Sequence, residues 1–92
     1  MLRPIQVRGD DETHVYEVLY RSLAPGAKID HDEPVGPGAS ASISIEGDIL
    51  GIEVIGLEPV TIEAAKRFAV EHDLVFPDDL PGMLRDRNRR AE

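Results

Sequence analysis

The sequence predicts an α+β fold: a small antiparallel β-meander of three or four strands with one amphipathic helix packed on one face. Three observations predict it. From Ala39 to Glu46, the residues Ala39, Ala41, Ile43 and Ile45 alternate with Ser40, Ser42, Ser44 and Glu46, the period of two of a half-buried strand. Gly47-Asp48 then leads into the apolar run Ile49 to Ile55. A Gly-first dipeptide suits a two-residue hairpin, because such turns demand a positive φ. From Pro59 to His72, the residues Ile62, Ala65, Phe68, Ala69 and His72 recur at helical spacing, while Glu63, Lys66, Arg67 and Glu71 fall largely elsewhere.

Taken in order, Ile5 and Val7 alternate within Pro4 to Arg8, which reads as a short edge strand or a leader. Gly9 to Glu12 reads as a turn. His14 to Leu23 is rich in β-branched and aromatic residues and favours a strand, with a helix over Glu12 to Leu23 as the competing reading. Apolar residues occur at both odd and even positions, so its buried face is ambiguous. Ala24-Pro25-Gly26 breaks the element, and Ala27 to Ile29 fits a short strand. Asp30 to Gly38 is acidic and then rich in Pro and Gly, which leaves little room for regular structure. In the central hairpin, a Gly47-Asp48 turn pairs Ile45 with Leu50, Ile43 with Ile52 and Ala41 with Val54. Ala41, Ile43, Ile45, Leu50, Ile52 and Val54 then project the same way. Pro59 suits the first helical turn, with Glu58 at its positive end or Thr61 as an alternative cap. Glu63 and Arg67 form a favourable i,i+4 pair. Residues 77–82 read as a loop before a final polar helical turn.

The chain has 92 residues, which fits a single domain over 1–84 followed by a short basic tail, 85–92. A chain this short buries about 60% of the surface it exposes when unfolded, so its core is small. Tyr16, Tyr20, Phe68 and Phe76 are its only aromatic residues, so that core must be aliphatic. There is no cysteine, which excludes disulfides, thiolate metal sites and cysteine nucleophiles. The first residues lack the apolar core of a secretory signal, and no stretch approaches the roughly 18 apolar residues of a spanning helix. A cytoplasmic protein with no membrane partner is expected. The formal net charge is −8, which argues against direct nucleic-acid binding, since phosphate affinity is built from clustered Lys and Arg. The charge is uneven: residues 1–84 carry 16 acids against 6 bases, and residues 85–92 carry 4 arginines against 2 acids.

Asp30, His31, Asp32 and Glu33 are the densest set of potential metal ligands. They lack EF-hand spacing and any HxH or HExxH motif, so a solvated acidic loop is the simpler reading. Glu53 falls across from Ser42 on the polar side of the hairpin, with no second group and no cleft implied for acid–base chemistry. Gly51, opposite Ser44, suggests a bulge or the close approach of another backbone. The serine face is then a candidate docking surface. His14 and His72 stand alone, and Ser40, Ser42 and Ser44 lack a nucleophile-elbow context. No P-loop, dinucleotide or kinase motif is present. The sequence names no catalytic residue and implies no cofactor.

Gly47-Asp48-Ile49-Leu50-Gly51-Ile52-Glu53-Val54 resembles the closing signature of a small bacterial family of unknown function: an acidic turn with Gly, a hydrophobic pair, then Gly-Ile-Glu and a hydrophobic residue. Val35-Gly36-Pro37-Gly38 resembles that family's Gly-x-Gly lead-in, and Glu17 before Leu19-Tyr20 is similar to its first strand. The resemblance spans roughly residues 13 to 56. Thr13 stands where the family has an aspartate, and Ser42 and Ser44 lie where it has another near the end of its Gly-x-Gly strand. The resemblance implies a compact antiparallel sheet with a helix, no established activity, and occurrence beside small toxin-like proteins.

The expected function is that of a non-enzymatic protein-interaction module, an antitoxin-like partner of a small basic protein. Its candidate interaction residues are Ser40, Ser42, Ser44, Gly51 and Glu53, together with Arg85, Arg87, Arg89 and Arg90. The alternatives are a small-molecule or divalent-metal-binding protein using Asp30, His31, Asp32 and Glu33 with Glu53, and a structural homo-oligomer assembled through the sheet. The partner is then either a basic protein or a second copy of the chain.

Overall fold

The computed structural model describes residues 1–10, 12–22, 29–78 and 80. Among these the chain forms five strands and one helix in the order β1 (Gln6–Asp10), β2 (Val15–Leu19), β3 (Ile29–Gly36), β4 (Ala39–Ser44), β5 (Ile49–Ile55) and α1 (Pro59–Glu71). The fold class is α+β. The sheet is fully antiparallel, with five strands in place of three or four, in the order β1-β2-β5-β4-β3. It is not a simple meander. β3, β4 and β5 are linked by hairpins, and β5 returns to pair with β2, a Greek-key connectivity.

Residues 15–19 are a strand, not a helix, and the even positions are the buried ones: Tyr16, Val18 and Tyr20 are each at most 3% exposed. The odd residues Val15, Glu17 and Leu19 are half-buried on the other face. His14 precedes the strand in a left-handed conformation (φ 57°), and its N–H donates to Asp10 O in the turn from β1.

The segment expected to be an irregular acidic loop, Asp30 to Gly38, is largely strand. β3 runs for eight residues at the sheet edge, with register shifts near Asp30 and Val35. Pro34 is tolerated because an edge strand has one row of backbone groups that no neighbour requires.

The β4–β5 hairpin differs from its expected register by two residues. Ala39 pairs with Val54, Ser40 with Glu53, Ala41 with Ile52 and Ser42 with Gly51, and a bulge then brings Ile43 opposite Ile49. The connection is not the two-residue turn Gly47-Asp48. Gly47 N–H donates to Ser44 O, Ser44 N–H to Asp48 O, and Asp48 N–H to Ser44 Oγ. Gly47 takes the positive φ (89°) for which glycine suits it. Ile45 is consequently in the turn and 68% exposed, not in the core. A slip of two residues preserves which face each side chain occupies, so alternation cannot distinguish the two registers.

Helix α1 begins at Pro59, with Glu58 as the N-cap residue and no side-chain cap. Thr61 does not cap the helix. It is buried, and its Oγ1 donates to Pro37 O at 2.7 Å, tying the helix to the β3–β4 turn. Ala65 and Ala69 are fully buried against β3, β4 and β5, and Ile62 and Phe68 pack at the margin. His72 is exposed and stacks on Phe68 with ring centroids 4.3 Å apart. The small alanines let the helix approach closely. Gly36 on β3 completes this contact: a Cβ built there would lie 2.5 Å from Ala64 Cβ.

The helix covers only the β3–β5 half of the sheet. The described residues after the helix extend this cover, with Leu74, Phe76 and Leu80 buried in the same core. Leu2 and Leu74 form a parallel bridge, and Tyr20 donates its phenol to Val75 O at 2.9 Å. No helix among the described residues is long and apolar enough to cross a membrane.

Candidate functional site

The helix and the described residues that follow it pack on one face of the sheet. Among the described residues the opposite face is uncovered over its middle strands. The strand registers arrange that face in rows across the sheet. One row is Arg8, Glu17, Glu53, Ser40 and Pro34, on β1, β2, β5, β4 and β3 in turn. The next is Gln6, Leu19, Gly51, Ser42 and Asp32.

The first row sets two carboxylates directly opposite each other, Glu17 on β2 and Glu53 on β5. Like charges at facing positions oppose pairing. One guanidinium compensates them: Arg8 donates to Glu17 Oε1 from β1. Glu53 is half-buried and makes no ion pair with any described residue. An open groove of about 460 Å³ lies along this row, lined by Asp10, Thr13, Val15, Glu17 and Glu53 together with β1. A second groove of about 380 Å³ lies on the β3 side, lined by Asp32, Pro34, Ser40 and Ile55. The facing pair Glu53 and Ser40 joins the two.

The serines are not equivalent. Ser40 and Ser42 are half-buried on the open face, and Ser42 Oγ donates to Asp32 Oδ1 at 3.0 Å. Ser44 is buried at 7% and belongs to the hairpin turn. Gly51 does lie where another backbone comes close, but that backbone is the chain's own β2. A Cβ at Gly51 would lie 2.9 Å from Val18 O and 3.1 Å from Leu19 Cδ2. Glu53 faces Ser40 and Gly51 faces Ser42, each shifted by two from the expected partners. Arg85, Arg87, Arg89 and Arg90 lie outside the described residues.

Asp30, His31, Asp32 and Glu33 are exposed on the edge strand β3. Alternation splits them: Asp32 pairs with Ser42 on the open face, and His31 and Glu33 pair with Ile43 and Ala41 at the rim of the helix-covered side. Among the described residues no three His, Asp or Glu side chains are grouped to hold a metal ion. His31 instead sits between two carboxylates, with Nδ1 2.7 Å from Asp30 Oδ2 and Nε2 3.1 Å from Glu33 Oε1. Hydrogen bonding to Asp30 first, then to Glu33, raises its pKa above the ordinary value of 6.5. The folded value exceeds the unfolded one. The resulting stabilisation is therefore complete below about pH 6.5 and is lost as the pH rises through the folded value. In an NMR titration, the His31 midpoint is expected above 6.5, and Asp30→Asn should bring it down. A midpoint unchanged by Asp30→Asn would show that the contact does not persist in solution.

Alternation signals in the sequence are enough to find Ser40, Ser42 and Glu53 on one face. The same signals do not reveal Glu17 and Arg8 as members of that face, because their place on it follows from the pairing of β1 with β2 and of β2 with β5, and no local signal encodes the latter. No family model matches the chain, and neither a curated protein nor a solved structure shows significant similarity to it.

Proposed function

We propose that the protein is a non-enzymatic interaction module that binds a basic protein partner. The observation that carries this reading is the sheet face that the described residues leave uncovered over its middle strands, whose rows hold Glu17, Glu53 and Asp32, with Arg8 paired to Glu17. The net charge of −8 favours encounter with a cationic partner over a long range. The resemblance of the Gly47 to Val54 hairpin to a family found beside small toxin-like proteins supports an antitoxin-like version of the same reading. The arginine-bearing segment 85–92 offers a second, oppositely charged contact.

A tagged copy of the full chain should retrieve a basic protein in stoichiometric amount from lysate of its own host at low salt and lose it at high salt. Retrieval of the bait alone under both conditions would overturn the reading and favour self-association through the sheet. That alternative would be visible as a dimer by sedimentation.

A further inference from the structure

We propose that the sheet face left uncovered by the described residues binds an extended segment of the partner that crosses the strands and places two basic side chains four residues apart against Glu17/Glu53 and Asp32. This rests on the interaction reading above and specifies its surface and the chemistry of its partner.

The argument starts from the sheet ladder. Glu17 and Glu53 face each other on adjacent strands, and Asp32 lies two strands beyond Glu53 and one row along. With strands about 4.8 Å apart and residues about 3.4 Å apart along a strand, Glu53 and Asp32 are separated by about 12 Å. An extended peptide advances about 3.3 Å per residue, so positions i and i+4 span about 13 Å. Those positions also point to the same side of the peptide, as docking on a flat face requires. An i and i+3 pair would reach a similar distance with its side chains on opposite sides.

Charge complementarity selects a cation as occupant. Arg8 pairs with Glu17, and Glu53 facing it makes no ion pair with a described residue, so a cation at Glu53 would relieve the like-charge pair. Asp32 accepts one hydrogen bond, from Ser42, on Oδ1, which leaves Oδ2 for an incoming donor. The walls suit the methylene stems of Lys or Arg. Val15 lines the first groove and Ile55, 56% exposed, lines the second. The two residues face each other across β2 and β5.

The test uses the full chain and a fluorescent octapeptide of Thr and Ser with arginines at its second and sixth positions. Anisotropy should show saturable binding at low salt. Glu53→Gln should weaken it about tenfold, the scale of one charge-assisted contact. Glu71→Gln, on the exposed side of α1, removes the same charge and should change affinity less than twofold. A peptide with its arginines at the second and fifth positions should bind at least fivefold more weakly. Relief of repulsion should leave the thermal midpoint of Glu53→Gln no lower than the parent's, so lost binding is not lost folding. Equal weakening by Glu53→Gln and Glu71→Gln would reduce the effect to net charge and overturn the proposal. Absence of saturable binding would overturn it as well. A basic partner still retrieved from lysate by Glu53→Gln with undiminished yield would overturn this surface while leaving the interaction reading intact.

Discussion

Tyr20→Ala is expected to cost about 3–5 kcal/mol, the range for emptying a large aromatic site in a core. A chain of this size has roughly 5–14 kcal/mol in total at the usual stability per residue. The substitution should therefore remove a large share of the folded state's margin. Tyr20 is 1% exposed and is the largest fully buried side chain. It fills the half of the core that α1 does not reach and donates to Val75 O, joining β2 to the segment that follows the helix. Tyr20→Phe separates the two contributions. It keeps the ring and deletes the hydroxyl, leaving Val75 O without that donor, for a cost of about 1 kcal/mol. Urea denaturation of the three proteins measures both values. A Tyr20→Ala cost under about 1 kcal/mol would mean that residues 74–78 do not pack on the sheet in solution. Burial also raises the phenol pKa above its ordinary value of 10. The unfolded phenol then ionises first, so this contribution is complete below about pH 10 and is lost as the pH rises beyond it. Tyr20→Phe should flatten the alkaline limb of the stability profile.

Gly36→Ala is expected to destabilise by about 1–3 kcal/mol, the cost of overpacking a close contact. The usual effect of Gly→Ala at an accommodating site is opposite in sign, a gain of about 0.4–1 kcal/mol through the unfolded chain. The contact decides between them. The new methyl would meet Ala64 Cβ at 2.5 Å, and neither methyl has a rotamer through which to escape. Relief requires α1 to lift from β3, which would also loosen Thr61 from Pro37 O. Ala64→Gly in the Gly36→Ala background removes the clash at the helix cost of a glycine, about 1 kcal/mol. The double-mutant cycle should show favourable coupling of at least about 1 kcal/mol. A stability gain from Gly36→Ala alone would show that the helix stands farther from the sheet than the structure places it.

Much of the secondary structure was legible because it is written in local periodicity. The serine and isoleucine alternation of residues 39–44 and the helical spacing of Ile62, Ala65, Phe68 and Ala69 each report a buried face within one element. The sequence places the hairpin register two residues off because that slip keeps residues 39–42 and 51–54 on their proper faces; only Ile45, which moves into the turn, betrays it. The bulge beside Ile43 and the four-residue connection from Ile45 to Asp48 decide it. The sequence of β3 reads as a loop because its acids, Pro34 and Gly36 are poor strand formers, and an edge strand accommodates them.

The candidate face was legible only in part. Ser40, Ser42 and Glu53 lie on one strand pair, so alternation alone grouped them. Glu17 and Arg8 join them through strands far away in sequence, and the like-charge pair exists only because β5 returns beside β2. By itself the sequence determined the α+β class, the polar and apolar sides of the central hairpin, the helix and the acidic balance. All of these depend on residues close together in the chain. The tertiary structure decided the strand order, the burial of Tyr20 with Leu74, Phe76 and Leu80, the contact of Gly36 with Ala64 and the row of charges from Arg8 to Glu53. Those are long-range pairings, chosen by the global competition to bury apolar surface and satisfy backbone hydrogen bonds, and no short window of sequence records its outcome.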